Sequence, residues 1–349
     1  MRLRKRVRRL GAAELVTIKD ISKACGVSAS TVSKVLNGYT DISKETVENV
    51  FRTAEAMGYT PNAAARMLKT NRSHSLGVLF VDEMQSGLRH EYFSAMLSSL
   101  KDEAERLGYD ITFISRNLGG RSMSYLEHCR YRKCDGVVIA CVDFNDPAVT
   151  DLLRSEIPVV TVDYTFDQRG AVVSDNVLGM SELVDYIISR GHRDIAYIHG
   201  EMTSVTRNRL AGFYRTCEAN GIRVPDDYVR AARFHDPDTS ARETGALLEL
   251  KHPPTCIIYP DDICVLGGLS EMERRGLSVP EDISVAGYDG ALLSKALRPP
   301  LSTVRQDTDT LGKRAAAFIV DAIEHRKTYL PRQELIPGML IPGGSVRRL

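Results

Sequence analysis

Residues 18–38 read IKDISKACGVSASTVSKVLNG, two short amphipathic patterns hinged on one glycine and closed by Asn37-Gly38. Ile18, Ile21 and Ala24/Cys25 recur at helical spacing, so the first half predicts a helix. Thr17 stands at its N-cap, and Asp20 occupies the capping-box position. Gly26 ends that helix, because glycine enters the left-handed region at little cost. Ser28 caps a second helix, SASTVSKVLN, which Asn37-Gly38 stops. Ser43 begins a third, SKETVENVFRTAEAMG, with Glu45 and Glu48 near its positive end. Val47, Val50, Phe51, Ala54 and Met57 form its apolar stripe, and Val27, Val32, Val35, Leu36 and Tyr59 complete a minimal core. Two helices about a tight turn have the proportions of a helix-turn-helix. The second exposes Ser28, Ala29, Ser30, Ser33 and Lys34, small or polar side chains that let it sit deep in a major groove. Thr17, Ser28, Thr31 and Asn37 can hydrogen-bond phosphates. The alternative is a helical packing module with a polar face.

The chain around this segment has 349 residues, too many for one core, and two or three compact units are expected. A net charge of +1 conceals an asymmetry: residues 1–74 hold 14 Lys/Arg against 6 Asp/Glu, whereas the remainder is acidic. A basic end on an acidic body points to a polyanion, or else to a solubilising tail. The apolar runs are shorter than the ~18 residues of a membrane span. MRLRKRVRRLG is not followed by the apolar stretch of a signal peptide, so a cytoplasmic location is expected. Seven cysteines without a C-x-x-C pair fit a reducing compartment, and no metal site is implied.

After Pro61, NAAARMLKTNRSHS reads as a linker able to form one or two marginal helical turns. From Leu76, short β-rich runs (LGVLFV, YDITFI, CDGVVIA, IPVVTV) alternate with helical patterns, and the rhythm restarts after Val173. Near-continuous apolar strands separated by helices imply an α/β body with parallel sheets covered on both faces. Two such series suggest two similar subdomains with a ligand cleft between them.

VTIKDISKACGVSASTVSKVLNG, followed by SKETVENVFRTAEAMGYTPNAAARMLKT, closely resembles the DNA-binding headpiece of the lactose-repressor/galactose-repressor family. The similarity continues through HEYFSAMLSSLKDEAERLGYD, ISRGHRDIAYIHG, RNRLAGF, VPEDISVAGYDG and RPPLSTVRQD, and spans about residues 16–340. It implies a three-helix headpiece at 16–60 and a hinge at 61–74, after a basic extension at 1–15 expected to be disordered. The extension is either a flexible DNA-contacting arm or an over-long gene start. The implied body resembles a periplasmic sugar-binding protein with two Rossmann-like subdomains, 75–174 with 308–336 and 175–303 with 337–349. By resemblance Ala29, Ser30 and Lys34 read base edges, Lys34 meeting either guanine or a phosphate. Ile18, Lys19 and Tyr59 touch the backbone. The segment matching Asn62 to Lys69 becomes a hinge helix on DNA, with Leu68 wedged into the minor groove and Ala65 allowing two hinges to approach.

For the cleft, the resemblance carries over Arg209 and Asp289 as the guanidinium and carboxylate that hold the ligand, with Tyr92, Phe93 and Asp163 on the opposite side. Phe93 is equally compatible with core packing. Asp261 stands where the family commonly has an asparagine, which favours a donor-rich or cationic ligand. Ser240 replaces an aromatic that often stacks on the ligand, and Thr203 and Val205 replace purine contacts, so a sugar is expected and a purine is not. No G-x-S-x-G, H-E-x-x-H, Walker or G-x-G-x-x-G pattern is present, so an enzyme is not expected and no cofactor is implied. GGSVRRL at the carboxyl end carries no leucine-heptad extension, which favours a dimer. The expected protein is therefore a homodimeric regulator, most readily a repressor, with operator DNA, a small effector and a second copy as partners.

Overall fold

The computed structural model describes residues 16–36, 39, 41–59, 67, 72–81 and 90–349, and the chain divides into two compact units at Ser73/His74. In the first unit α1 (Ile18–Cys25), α2 (Ala29–Leu36) and α3 (Lys44–Ala56) close on one small core. The Asp20 N–H donates to the Thr17 hydroxyl, and the Thr17 N–H donates to the Asp20 carboxylate at 2.9 Å, so the capping box is formed. Gly26 follows α1 at φ 69°, a backbone that side-chain-bearing residues rarely adopt. The Thr31 N–H donates to Ser28 Oγ at 3.0 Å and the Thr46 N–H to Ser43 Oγ at 3.4 Å, which caps α2 and α3. Ile21, Val32, Val35, Val50 and Ala54 are buried, with Val27, Leu36, Val47, Met57 and Tyr59 packed around them. Phe51 departs from the expected stripe and is 51% exposed. At 100° per residue it lies past Val50 on the flank of the face that Val50 and Ala54 turn inward. The expected stop at Asn37-Gly38 and the basic extension lie outside the described residues.

The second unit is built on two parallel sheets. The first lobe holds β1 (Ser75–Phe80), β2 (Asp110–Ile114), β5 (Gly136–Ala140), β6 (Val159–Val162), β7 (Gly170–Ser174) and β13 (Gln333–Ile336), ordered β13-β7-β6-β5-β1-β2. All its pairings are parallel. Between β2 and β5 the residues of β3 (Asn117–Leu118) and β4 (Arg121–Ser122) make a small antiparallel hairpin. The second lobe orders β8 (Ile195–His199), β9 (Val229–Ala231), β10 (Cys256–Ile258) and β11 (Ser284–Ala286) as β11-β10-β8-β9, again parallel. β9 has only three residues, none of them buried, and so leaves no apolar run to be read.

Helices cover both faces of each sheet. Val138 and Ala140 face α4 (Glu91–Arg106) and α12 (Thr308–Glu324), while Val137 and Ile139 face α5 (Tyr125–Arg132) and α6 (Pro147–Leu153). A period of two with both faces buried makes the strand apolar throughout. In the second lobe Tyr197 and Ile258 pack with α7 (Asn176–Ser189) and α8 (Ser204–Ala219). Ile198 and Ile257 pack with α9 (Pro237–Leu248) and α10 (Cys264–Arg274). Each such side chain contributes roughly 1.5–3 kcal/mol by burial. A Cβ on Gly312 would lie 2.3 Å from the Met96 carbonyl, so α12 can reach α4 only as glycine there. The chain passes between lobes after Ser174, after Arg305 and after Ile336; β12 (Thr303–Arg305) and β14 (Met339–Ile341) pair antiparallel along the crossings. The carboxyl ends of both sheets therefore open on the space between the lobes.

Candidate functional site

In the first unit, Ser28, Ser30 and Lys34 are exposed on one side of α2, with Ala29, Thr31 and Ser33 half-buried beside them. Ser28 Oγ lies 2.7 Å from Ser30 Oγ and 2.8 Å from Thr31 Oγ1. These hydroxyls sit at the positive end of a helix, where phosphate oxygens are favoured. Lys34 Nζ lies 2.6 Å from Asp41 Oδ2, an exposed pair that water and salt weaken and that an acceptor on DNA can replace. Asp41 holds the Lys34 ammonium above its ordinary value. Thr17 donates to Asp20 at 2.6 Å and so serves first as a cap. Lys19 is exposed, while Ile18 and Tyr59 pack against the core. Asn37, Asn62, Ala65, Leu68 and Lys69 lie outside the described residues.

In the second unit, Arg209 projects from α8 beneath the carboxyl ends of the second lobe's strands and is 3% exposed. Its Nε donates to Asn176 Oδ1 at 2.8 Å, one terminal nitrogen donates to the Pro260 carbonyl at 2.7 Å, and the other lies 3.5 Å from Asp289 Oδ1. The guanidinium stands 3.6 Å over the Tyr288 ring. Gln306 Nε2 also donates to Asp289 Oδ1, at 2.6 Å. Both bonds use one oxygen, which leaves the acceptor capacity of Oδ2 for a ligand. Burial pushes the Asp289 carboxyl above its ordinary value; Arg209 draws it back, and Asp261 pushes it further up. Burial alone would depress the Arg209 guanidinium, but Tyr288 and Asp289 outweigh it.

The first lobe's contribution is self-contained. Tyr92 donates to Asp163 Oδ2 at 2.6 Å, and the Ser174 N–H donates to Asp163 Oδ1 at 2.7 Å. Burial, then the charge of Asp163, keeps the Tyr92 phenol neutral far above its ordinary value. Asp163 itself takes a left-handed φ of 57° after β6. Phe93 is half-buried against Phe80 and His90, at the edge of the core rather than within it. Among the described residues, contacts between the lobes include Ser204 Oγ to the Asp163 carbonyl at 2.7 Å, the N–H of Leu292, which begins α11 (Leu292–Ala296), to Glu91 Oε1 at 2.8 Å, and the His90 and His235 rings 3.8 Å apart.

Two readings are corrected. Asp261 does not offer a free carboxylate: it is fully buried, its Oδ1 accepts from the Cys264 N–H and its Oδ2 from the His235 N–H, each at 2.8 Å. It caps α10 and ties down the loop before α9. Ser240 is buried inside α9 and presents nothing to the cleft. The rings there belong to Phe234, 6.0 Å from the Arg209 guanidinium, and His235.

Residues 17–62 match the model for bacterial regulatory proteins of the lacI family, and residues 184–346 match the periplasmic binding protein-like domain. Over 334 residues the chain is 31% identical to the HTH-type transcriptional repressor PurR of Escherichia fergusonii, covering 93% of this chain and 96% of that one. The chain belongs to the lacI family. The PurR repressor of Pasteurella multocida is 29% identical over 341 residues, 96% of this chain and all of the other. The lac repressor dimer bound to operator and the anti-inducer ONPF superposes with a TM-score of 0.77 at 25% identity, over 96% of this chain and 100% of that one. A lacI-family regulatory protein from Chloroflexus aggregans gives 0.68 at 27% identity, over 78% and 98%.

As a lacI-family member the chain is a DNA-binding transcriptional regulator with a ligand-binding body. Asn176, Gln306, Tyr288, Phe234 and His235 are the cleft residues that the family resemblance alone did not single out; Gln306 was within reach, in the quoted RPPLSTVRQD. Among the described residues no three His, Cys, Asp or Glu side chains are grouped to hold a metal, and no helix is long and apolar enough to cross a membrane.

Proposed function

We propose that this regulator is a cytoplasmic homodimeric repressor without catalytic activity, whose grip on a pseudo-palindromic operator is set by a sugar or other polyol in the cleft. The observation that carries the ligand reading is the Arg209–Asp289 pair: buried, stacked on Tyr288 and with hydrogen-bonding capacity to spare. A planar donor beside an acceptor, over an aromatic face, suits vicinal hydroxyls. The relatives bear the name PurR, so the sugar reading rests on the cleft's own chemistry.

On DNA, Ala29, Ser30 and Lys34 read bases while Thr17, Ser28, Thr31 and Lys19 fix the register. Two copies related by a dyad match the two half-sites. Leu68 enters the minor groove from a hinge formed by residues 62–69, with the cost of unstacking offset by the contacts the bend permits. Ligand binding in the cleft shifts the lobes and so biases the hinge pair. A thermal-shift screen with sugars, polyols, amines and nucleosides tests the ligand class; stabilisation by nucleosides alone removes the sugar. For the wedge, Leu68→Ala should weaken operator binding far more than non-specific binding, read by fluorescence anisotropy over a salt series. Equal losses on both DNAs sink it.

A further inference from the structure

Helix α5 ends in a Schellman turn. Lys133 adopts the left-handed conformation at φ 54°, its N–H donates to the Arg130 carbonyl at 3.0 Å, and the Cys134 N–H reaches back to the Cys129 carbonyl at 2.9 Å. Such a turn brings together the side chain two residues past the helix and the one a turn inside it, commonly as an apolar contact. Here both side chains are thiols. The 2.9 Å closure holds the two Cα atoms within the ~4.4–6.8 Å that a disulfide spans.

The two thiols differ in environment. Both residues are buried, Cys129 fully and Cys134 with 9% of its surface exposed, so Cys134 is the one nearer to solvent. The neighbouring Cys129 thiol, with Arg132 nearby, draws the Cys134 thiol below the ordinary thiol range; burial and Asp135 push against it. The Cys134 neighbour and burial push the Cys129 thiol up. Two adjacent thiols, one nearer to solvent than the other, are the arrangement of an attacking and a resolving cysteine.

We propose that Cys129 and Cys134 are a redox pair that closes a reversible disulfide across the end of α5 on meeting a peroxide. The Cys134 thiolate attacks a peroxide oxygen: an S–O bond forms, the O–O bond breaks, and the departing hydroxide takes a proton to become water. Cys134 is then a sulfenic acid. The Cys129 sulfur attacks that sulfur, the S–S bond forms, and the S–O bond breaks with its hydroxyl leaving as water on the Cys129 proton. Two thiols lose two electrons and two protons, and hydrogen peroxide becomes two waters. A thiol reductant restores the pair by exchange. The turn leads into the amino end of β5, whereas the cleft lies at the carboxyl ends, so oxidation locks the end of α5 without blocking the ligand.

The full chain is treated with hydrogen peroxide, unfolded in iodoacetamide and digested with trypsin, which cuts between the two cysteines at Arg130, Arg132 and Lys133. The expected result is one cross-linked pair of peptides, 122–130 and 134–154, whose fragmentation places the bond at Cys134 rather than Cys141, with an intact mass lower by two hydrogens and full reversal by dithiothreitol. In Cys129→Ser, dimedone should trap Cys134 as its sulfenic acid; in Cys134→Ser, Cys129 should stay alkylatable. The proposal falls if both cysteines remain alkylated at a peroxide dose that oxidises the 56% exposed Met202, or if dimedone labels Cys134 no faster than buried Cys256. The wild-type digest decides the matter even where a variant fails to fold.

Discussion

The two lobes of the body furnish the cleft with opposite kinds of carboxylate. In the first lobe both Asp163 oxygens are taken, by the Tyr92 hydroxyl and the Ser174 amide, and its backbone carbonyl accepts from Ser204 of the other lobe. In the second lobe, among the described residues, Asp289 is held at one oxygen, by Gln306 and a long contact to Arg209. Asp163 is thus a structural carboxylate that shapes a wall, while Asp289 and Arg209 keep capacity for a guest. On the proposed ligand reading, anchoring falls to the second lobe, and the first lobe responds to what is anchored.

The largest effect should follow Arg209→Ala. Removing a buried cation that serves Asn176, Pro260 and Asp289 at once leaves a buried carboxylate poorly paired, a loss of ~3–5 kcal/mol in comparable cases. Calorimetry should find ligand binding lost by at least ~100-fold, since 1.4 kcal/mol is a factor of ten. Operator binding by the first unit should survive. Arg209→Lys, which keeps the charge but not the fork, should recover stability more than affinity. Ligand binding by Arg209→Ala within a few-fold of wild type would break the assignment of anchoring to the second lobe.

Acidity gives the next test, because stability and affinity should move in opposite directions. The folded state holds the Asp289 proton more tightly than the unfolded chain does, so stability falls as pH rises from the ordinary carboxylate value, about 4, through the raised one. Asp262, buried and held by Thr303 and Ala291, is raised further and adds to the same trend. Ligand affinity needs the ionised Asp289 acceptor and therefore rises over that window. Parallel thermal melts and calorimetry between pH 4 and 8 check both signs. Affinity that holds constant across this window would show that Asp289 does not accept from the ligand.

How much of this could be read in the residues follows from distance along the chain. The caps at Thr17, Ser28 and Ser43 each bind an amide three residues on, so they are local facts. The strands are continuous apolar runs and are equally visible. Arg209, by contrast, is held by partners 33, 51 and 80 positions away, and only family resemblance marked it. Asp261 misled because an acidic residue at a matched ligand position looks free in sequence; its i to i+3 bond to Cys264 was the available sign that it caps a helix. Ser240 misled through register: the rings stand five and six residues earlier, on the loop where α9 has not yet begun. Phe51 shows the same limit in miniature, since one position on a helix decides between core and solvent.

The smallest effect should come from Tyr92→Phe, and it is the one that sharpens the contrast between lobes. The ring stays in the core of the first lobe, so what is lost is the 2.6 Å bond to Asp163 and a longer 3.3 Å bond to Ser174 Oγ. A carboxylate deprived of a buried donor costs about 1.5–3 kcal/mol where water cannot replace it. Asp163 is half-exposed and keeps its Ser174 amide, so the loss should lie at or below the low end of that range. Thermal melts should therefore register a modest destabilisation, while ligand affinity falls less than ~10-fold because the anchor across the cleft is untouched. The ligand-induced change in operator affinity should shrink more than the affinity for the ligand itself, since the wall that responds has been loosened. If Tyr92→Phe lowers ligand affinity as far as Arg209→Ala does, both lobes anchor the ligand and the division of labour between them fails.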